Sequence, residues 1–337
     1  MREKSQDNPE PATRKLPSIA GVLSLGQLLE HNPTPPPALI EPGLLPSSGM
    51  LFVGGEPKVG KSILVANLAL ALASGSSRAG FHVPAARRVL ICQFELPAAQ
   101  FARRLAPMRS PIGKAADSNL FIDTEAAGHL LSAPRGLDHF LRAIRTAKAD
   151  VVVLDPLYST HDQDENDTRA MAALCQTLLR LRDASGAALI VVHHVRKSVG
   201  RHEIGSAFRG SSALHAVGDS YLLLVRPSPH VPTVELRFQF RYAPATEPRL
   251  LTLDSETLWF EACTTSTPAP VHARRKVETT DVERALAASG SARFNQLREK
   301  IMHQSECSRR TAQLAIQRAY QEGSIVQDNG QYRLPLS

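Results

Sequence analysis

The stretch "MLFVGGEPKVGKSILVANLALALAS", Met50 to Ser74, decides the fold. Within it "GEPKVGKS", Gly55 to Ser62, matches G-x-x-x-x-G-K-[ST], with the strand-like "LFVG" before it and the helix-like "ILVANLALALAS" after it. The chemistry needs this spacing. Glycines let backbone N–H groups turn inward around a β-phosphate, Lys61 reaches the β/γ oxygens, and Ser62 offers its hydroxyl to Mg²⁺. Gly55, Glu56, Pro57, Lys58, Val59, Gly60, Lys61, Ser62 and Ile63 are therefore the expected nucleotide-binding residues. A chance glycine-rich turn is the competing reading, and both flanks argue against it. The helix is apolar on nearly all sides, which fits packing between a sheet and further neighbours.

Outward from this stretch, short apolar runs alternate with helix-like segments: "RVLICQFE", "NLFID", "VVVLD", "ALIVVHH", "SYLLLV" and "VELRFQF". Continuous hydrophobicity in the earlier runs indicates strands buried on both faces, hence an α/β domain with a mostly parallel sheet flanked by helices. "VVVLD" ends in Asp155, placed to hold a magnesium water, although a plain buried strand can also end in Asp. The next residue is Pro156, which can neither take nor give a proton. A base for the attacking water must then be another carboxylate, at a strand end next to the phosphate-loop strand. Glu95 closes "RVLICQFE", with Pro97 opening a helix. A buried acid at that place needs partners, which favours a task for it; a first-turn acid facing the helix dipole is the alternative.

Length and composition bound the rest. A chain of 337 residues accommodates one sizeable core and a smaller second domain, and 43% hydrophobic with 21% charged residues excludes fibrous and mainly disordered classes. The net charge of +7 leans towards a polyanionic partner, though a solvated basic surface produces the same surplus. Cys92, Cys175, Cys263 and Cys307 form no C-x-x-C pair, so neither zinc nor a disulfide framework is indicated and a reducing cytoplasm fits. No run approaches the ~18 apolar residues of a membrane span. The expected organisation is a disordered N-terminus at 1–20, an ATPase domain at 21–262, a linker at 263–276 and a small α+β domain at 277–337.

That last domain follows the aperiodic "CTTSTPAPVHARRK" and contains three helix-like stretches. The first is opened by Thr280 with Glu283 at capping-box spacing, the second is "FNQLREKIM", and the third runs from about Ser308 to Gln321. Asn329-Gly330 then separates two strand-like runs. Three helices and a hairpin resemble a winged-helix domain. Its third helix buries Ala312, Ala315, Ile316 and Ala319 and presents Arg309, Arg310, Gln313, Gln317 and Arg318, as a DNA-recognition helix would; protein docking is the alternative use. Residues 264–337 hold 11 Lys and Arg against 7 Asp and Glu, so the surplus charge concentrates there.

A phosphate loop, then a strand ending in an acid with paired arginines on the next helix (Glu95, Arg103, Arg104), then an aspartate strand without its own glutamate, resembles the RecA-like core of hexameric replicative helicases. The likeness is strongest to the RepA plasmid-type group of the DnaB-like family. "LDPLYSTHDQDEN", "ASGAALIVVHHVRKS" and "FRGSSAL" resemble its Walker B, sensor and fourth motifs, and the resemblance spans about residues 38 to 255. It implies that Lys61, Ser62, Asp155 and Glu95 serve ATP and Mg²⁺, with Glu95 polarising the attacking water, and that His194 senses the γ-phosphate. A metal pair at His193-His194 is the competing idea, disfavoured because adjacent strand residues face opposite ways. The cationic loop with Arg196, Lys197, Arg201 and Arg209 would hold single-stranded DNA in a ring channel, with Phe208 the one aromatic available for stacking. Arg241 would be an arginine finger reaching the neighbouring subunit, with Arg237 as alternate. Asp162, Asp164 and Glu165 are expected in a solvated loop, with Asn166 or Asp167 capping the next helix. The implied protein is a cytoplasmic, hexameric Mg²⁺-ATPase that unwinds or moves along DNA in plasmid or mobile-element replication. The alternatives are a DNA-binding regulator whose ATPase switches assembly state, and a loader of a recombination partner.

Overall fold

The computed structural model describes residues 22–195, 204, 208, 212–227, 233–263, 277–287, 289–305, 307, 309–328 and 330–335. The expected disordered stretch at 1–20, Arg196, Lys197, Arg201 and Arg209, nearly all of the 263–276 linker, Ser308 and Asn329 lie outside them.

The first element is helix α1 (Leu25–His31), capped by Ser24 and Gln27 in a reciprocal capping box, with none of its residues buried. A two-stranded sheet follows, β1 (Ala38–Ile40) with β2 (Leu45–Pro46). Next come β3 (Met50–Gly55), α2 (Lys61–Ser74), β4 (Val89–Gln93), α3 (Ala98–Arg109), β5 (Leu120–Asp123) and α4 (Pro134–Ala147). They lead to β6 (Val151–Asp155), α5 (Thr168–Ser185), β7 (Ala188–His194), α6 (Ser212–Val217) and β8 (Ser220–Val225). The series closes with β9 (Thr233–Phe240), β10 (Arg249–Leu253) and β11 (Phe260–Ala262). Nine of these strands form one sheet in the order β11-β10-β9-β8-β3-β7-β6-β4-β5. The run from β8 to β5 is parallel, and β9, β10 and β11 continue it antiparallel.

Every residue of β3, β4 and β6 is buried, as continuous apolar runs require when both faces are covered. One face packs on α2 and α3 through Leu51, Val53, Leu68 and Phe101; the other packs on α4, α5 and α6 through Phe52, Leu154, Phe140 and Leu178. The all-round apolarity of α2 has a specific cause. The turn before β11 lies across its outer side, where Asn67 Nδ2 donates to the Leu258 carbonyl at 3.0 Å and Asn67 Oδ1 accepts from the Phe260 amide at 2.8 Å.

The strand order corrects one expectation. β4, which leads to Glu95, does not adjoin the phosphate-loop strand β3; it lies beside β6, with Gln93 opposite Asp155. Glu95 itself sits two residues beyond β4 and is exposed, so the burial argument for it does not apply.

Residues 277–335 carry α7 (Thr279–Ala287), β12 (Ser291–Arg293), α8 (Phe294–Gln304), α9 (Arg309–Gln321), β13 (Val326–Asp328) and β14 (Gln331–Arg333). The three strands form an antiparallel sheet in the order β12-β14-β13, and the unit has its own core of Val282, Leu286, Leu297, Ile301 and Ile316. Thr280 does not open the first helix. It lies inside α7, and the acid that reaches back is Asp281, whose Oδ2 accepts from the Glu278 amide at 3.1 Å.

Candidate active site

The carboxyl ends of β3, β7, β6 and β4 converge, the place where parallel sheets bind ligands because loops and helix N-termini gather there. Between β3 and α2 the loop turns through Gly60 at φ +107°, and a Cβ there would also meet the Phe260 ring at 2.9 Å, so this position admits only glycine. Lys61 is buried, and its Nζ donates to the carbonyls of Gly55 at 2.8 Å and Glu56 at 2.9 Å. Burial lowers its pKa to about 8, against the opposing pull of Asp155, Glu95 and Glu56. Glu56, Pro57 and Lys58 are exposed on the loop's outer side, whereas Val59 is buried and Ile63 packs on the core.

Ser62 Oγ donates to Asp155 Oδ1 at 3.0 Å, joining the loop to the end of β6. Asp155 is buried, and its pKa is raised to about 6, chiefly by desolvation; the Ser62 hydrogen bond, Arg104 and Lys61 pull the other way. Two oxygens so placed, one a buried carboxylate beside a hydroxyl, are the hard donors that suit a small divalent cation.

Past Asp155 the chain makes a short 3-10 turn, Leu157–Thr160, with Leu157 and Thr160 buried. Tyr158 is left on its outer side, and its hydroxyl donates to Glu95 Oε1. The same ring lies 5.4 Å from that of His194, at the end of β7. Gln93, buried at the end of β4, accepts from the Glu95 amide at 2.8 Å and the Leu96 amide at 3.3 Å. Sequence alone singles out neither Tyr158 nor Gln93, because Tyr158 and Glu95 are 63 positions apart and only the pairing of β4 with β6 joins them.

His194 has its pKa lowered by burial and by Lys61, so it stays neutral near pH 7, and its Nδ1 is buried without a hydrogen-bond partner among the described residues. His193 faces the opposite side of β7, against the Phe208 ring at 6.3 Å, and burial holds its pKa to about 4. Among the described residues no group of three or more His, Cys, Asp or Glu could hold a metal ion. Phe208 is not available for base stacking: it is fully buried, pressed on Gly54, where a Cβ would come within 2.4 Å of its ring.

Asp162 and Asp164 are exposed, Asp167 caps α5 by accepting from Arg169 and Ala170 amides, and Glu165 Oε1 lies 3.9 Å from His161 Nε2. Arg241 is far from the chain's own phosphate loop. It follows β9 at the amino ends of the parallel strands, where its Nη2 donates to the Ala216 carbonyl at 2.8 Å and its Nη1 lies 4.0 Å from Asp219 Oδ1. Arg237 is paired with Glu235 on the same strand. In the C-terminal unit, Arg309, Arg310 and Arg318 are exposed on α9.

The AAA domain family matches residues 12–200, more than half of the chain. The chain belongs to that family. Among solved structures, one of an isolated ATPase domain is similar with a TM-score of 0.51 at 15% identity, covering 64% of this chain and 85% of that one. A DnaB-like replicative helicase, described with its interactions with primase, gives a TM-score of 0.51 at 15% identity over 64% of this chain and 59% of that chain, so this AAA protein spans less than two thirds of that helicase. At such identities the likeness shows the fold, a RecA-like core. No curated protein matches. The AAA domain is thus of ATPase type and related in fold to a helicase ATPase domain. No helix among the described residues is long and apolar enough to cross a membrane.

Proposed function

We propose that this AAA protein is a Mg²⁺-dependent ATPase that assembles into a ring and moves along or unwinds DNA in the replication of a plasmid or mobile element. The reading rests on one observation: Lys61 and Ser62, Asp155, Glu95 and His194 arrive from four different strand ends at a single place. Lys61 would bind the β/γ-phosphates of ATP, its buried ammonium gaining an anion in place of loop carbonyls. Ser62 and Asp155 would hold Mg²⁺, and the ion would supply positive charge to offset the negative charge developing on the phosphate oxygens. Glu95 would orient the attacking water and accept its proton. His194, neutral and next to the basic segment that follows β7, would donate to the γ-phosphate and report its loss to Arg196, Lys197, Arg201 and Arg209 on single-stranded DNA.

Arg241 would act in trans. Its place at the amino ends of the strands keeps it from its own loop, so a finger role requires a neighbouring copy, the natural arrangement in a hexamer. Residues 277–335, with three helices and a three-stranded antiparallel sheet, would act as a winged helix, and Arg309, Arg310 and Arg318 on α9 would meet duplex DNA.

This unit also supports a second reading, a DNA-bound regulator or loader whose ATPase changes assembly state without unwinding. Strand displacement on a forked duplex, by wild type and Lys61→Ala, separates the two. The first reading expects release of the strand only with ATP and only by wild type; DNA-stimulated hydrolysis with no strand released in either polarity favours the second.

A further inference from the structure

We propose that Tyr158 is the positioning residue of the water-activating carboxylate: its phenol holds Glu95 Oε1 and so aims Oε2 at the attacking water. This rests on Glu95 being the base.

Burial in the hydrophobic core does not explain the placement. In the turn Leu157–Thr160 the flanking residues are anchored inside, Leu157 in the core and Thr160 through a 2.7 Å hydrogen bond to the Leu157 carbonyl, while Tyr158 stands 45% exposed. A tyrosine so placed has its ring at the surface and its hydroxyl free to reach a polar partner. That end reaches across from the β6 strand end to the β4 strand end and donates to Glu95 Oε1. The hydrogen bond pushes the phenol's own pKa upward, so it remains a donor throughout the working pH range. Gln93 fixes the backbone of the same residue by accepting from the amides of Glu95 and Leu96. Glu95 is therefore held at main chain and side chain by two neighbouring strands, and among the described residues no hydrogen bond occupies its Oε2. Pro156 gives the arrangement its logic: the residue after Asp155 has no side chain able to act on water, and the residue two further on supplies a hydroxyl that steers the acid next door. Its ring also rests against His194, so base and sensor share one support.

The test compares wild type, Tyr158→Phe, Tyr158→Leu and Glu95→Gln in the full chain, measuring kcat and KM for Mg²⁺-ATP, affinity for a fluorescent ATP analogue, and the melting temperature. Phe keeps the ring on His194 and removes only the hydroxyl. The expected result is a kcat lowered about tenfold or more, the worth of one hydrogen bond to a charged group, with KM, analogue affinity and melting temperature unchanged. Tyr158→Leu, which also loses the ring support, falls further. Glu95→Gln binds the analogue and does not turn over. If Glu95→Gln is inactive while Tyr158→Phe keeps wild-type kcat, or exceeds it, the positioning role is overturned and Glu95 stands. If Glu95→Gln turns over normally, Glu95 is not the base and both fail.

Discussion

Two buried aspartates stand at opposite ends of the parallel sheet, and they are held very differently. Asp219, at the amino ends, accepts from the Met50 amide through Oδ2 at 2.9 Å, takes the Arg241 amide on its carbonyl at 2.8 Å, and has the Arg241 guanidinium nearby. Asp155, at the carboxyl ends, receives one hydroxyl, that of Ser62, and burial drives its pKa to about 6. The fold neutralises the first charge with its own donors and leaves the second underprovided. An acid of the first kind ties strands together; an acid of the second kind costs stability and is kept for chemistry.

The largest expected effect is at the carboxyl ends. Lys61→Ala should lower ATP turnover on the order of a thousandfold, as loss of a donor to developing phosphate charge does, with no loss of melting temperature. A comparable loss from a change at Asp219 would break the contrast. Next is Asp155→Asn. Its folded pKa of about 6 lies above the ordinary 3.8, so the folded state binds the proton more tightly, and stability falls as pH rises between those values. Without nucleotide and Mg²⁺, the Asn variant should be more stable than wild type at pH 8 by about 3 kcal/mol, two pKa units' worth, and should lose that advantage near pH 4. Denaturation at both pH values reads this, while ATPase activity is lost at either.

At the other end, Asp219→Ala strands the buried Met50 amide and should cost about 2 kcal/mol of stability with KM for ATP unchanged. The smallest effect lies outside the sheet: Arg309→Gln with Arg310→Gln should leave ATPase unchanged and flatten the salt dependence of duplex binding by about 2 units of slope. An unchanged slope would remove α9 from the DNA interface.

Where burial is two-sided, the chain is legible residue by residue. "MLFVGG", "VVVLD" and "ALIVVHH" coincide with β3, β6 and β7, because a strand covered on both faces must be continuously apolar. Strand order is another matter, since hydrophobicity does not say which strand lies beside which; hence the sequence points Glu95 towards β3 while the fold sets it next to β6. "RLLTL" and "FEA" give no clear strand signal for β10 and β11, being short and half-exposed, with β11 at the edge of the sheet, and "SAR" becomes β12 only by pairing with β14. In the site, Lys61, Ser62 and Asp155 come from local patterns, whereas Tyr158 and Gln93 gain their roles from contacts that only the fold creates.

The clamp on α2 bears on where the catalytic unit ends. Asn67 grips Leu258 and Phe260, Trp259 Nε1 donates to the Met108 carbonyl at 2.7 Å, and Phe260 lies over Gly60. A chain shortened to residue 255 would strip the outer wall from the phosphate-loop helix and expose a flank of leucine and alanine to water. One ending at Cys263 would keep that wall. A proteolytic fragment that retains nucleotide binding should therefore carry Trp259 and Phe260 with it, even when the C-terminal unit has been cut away.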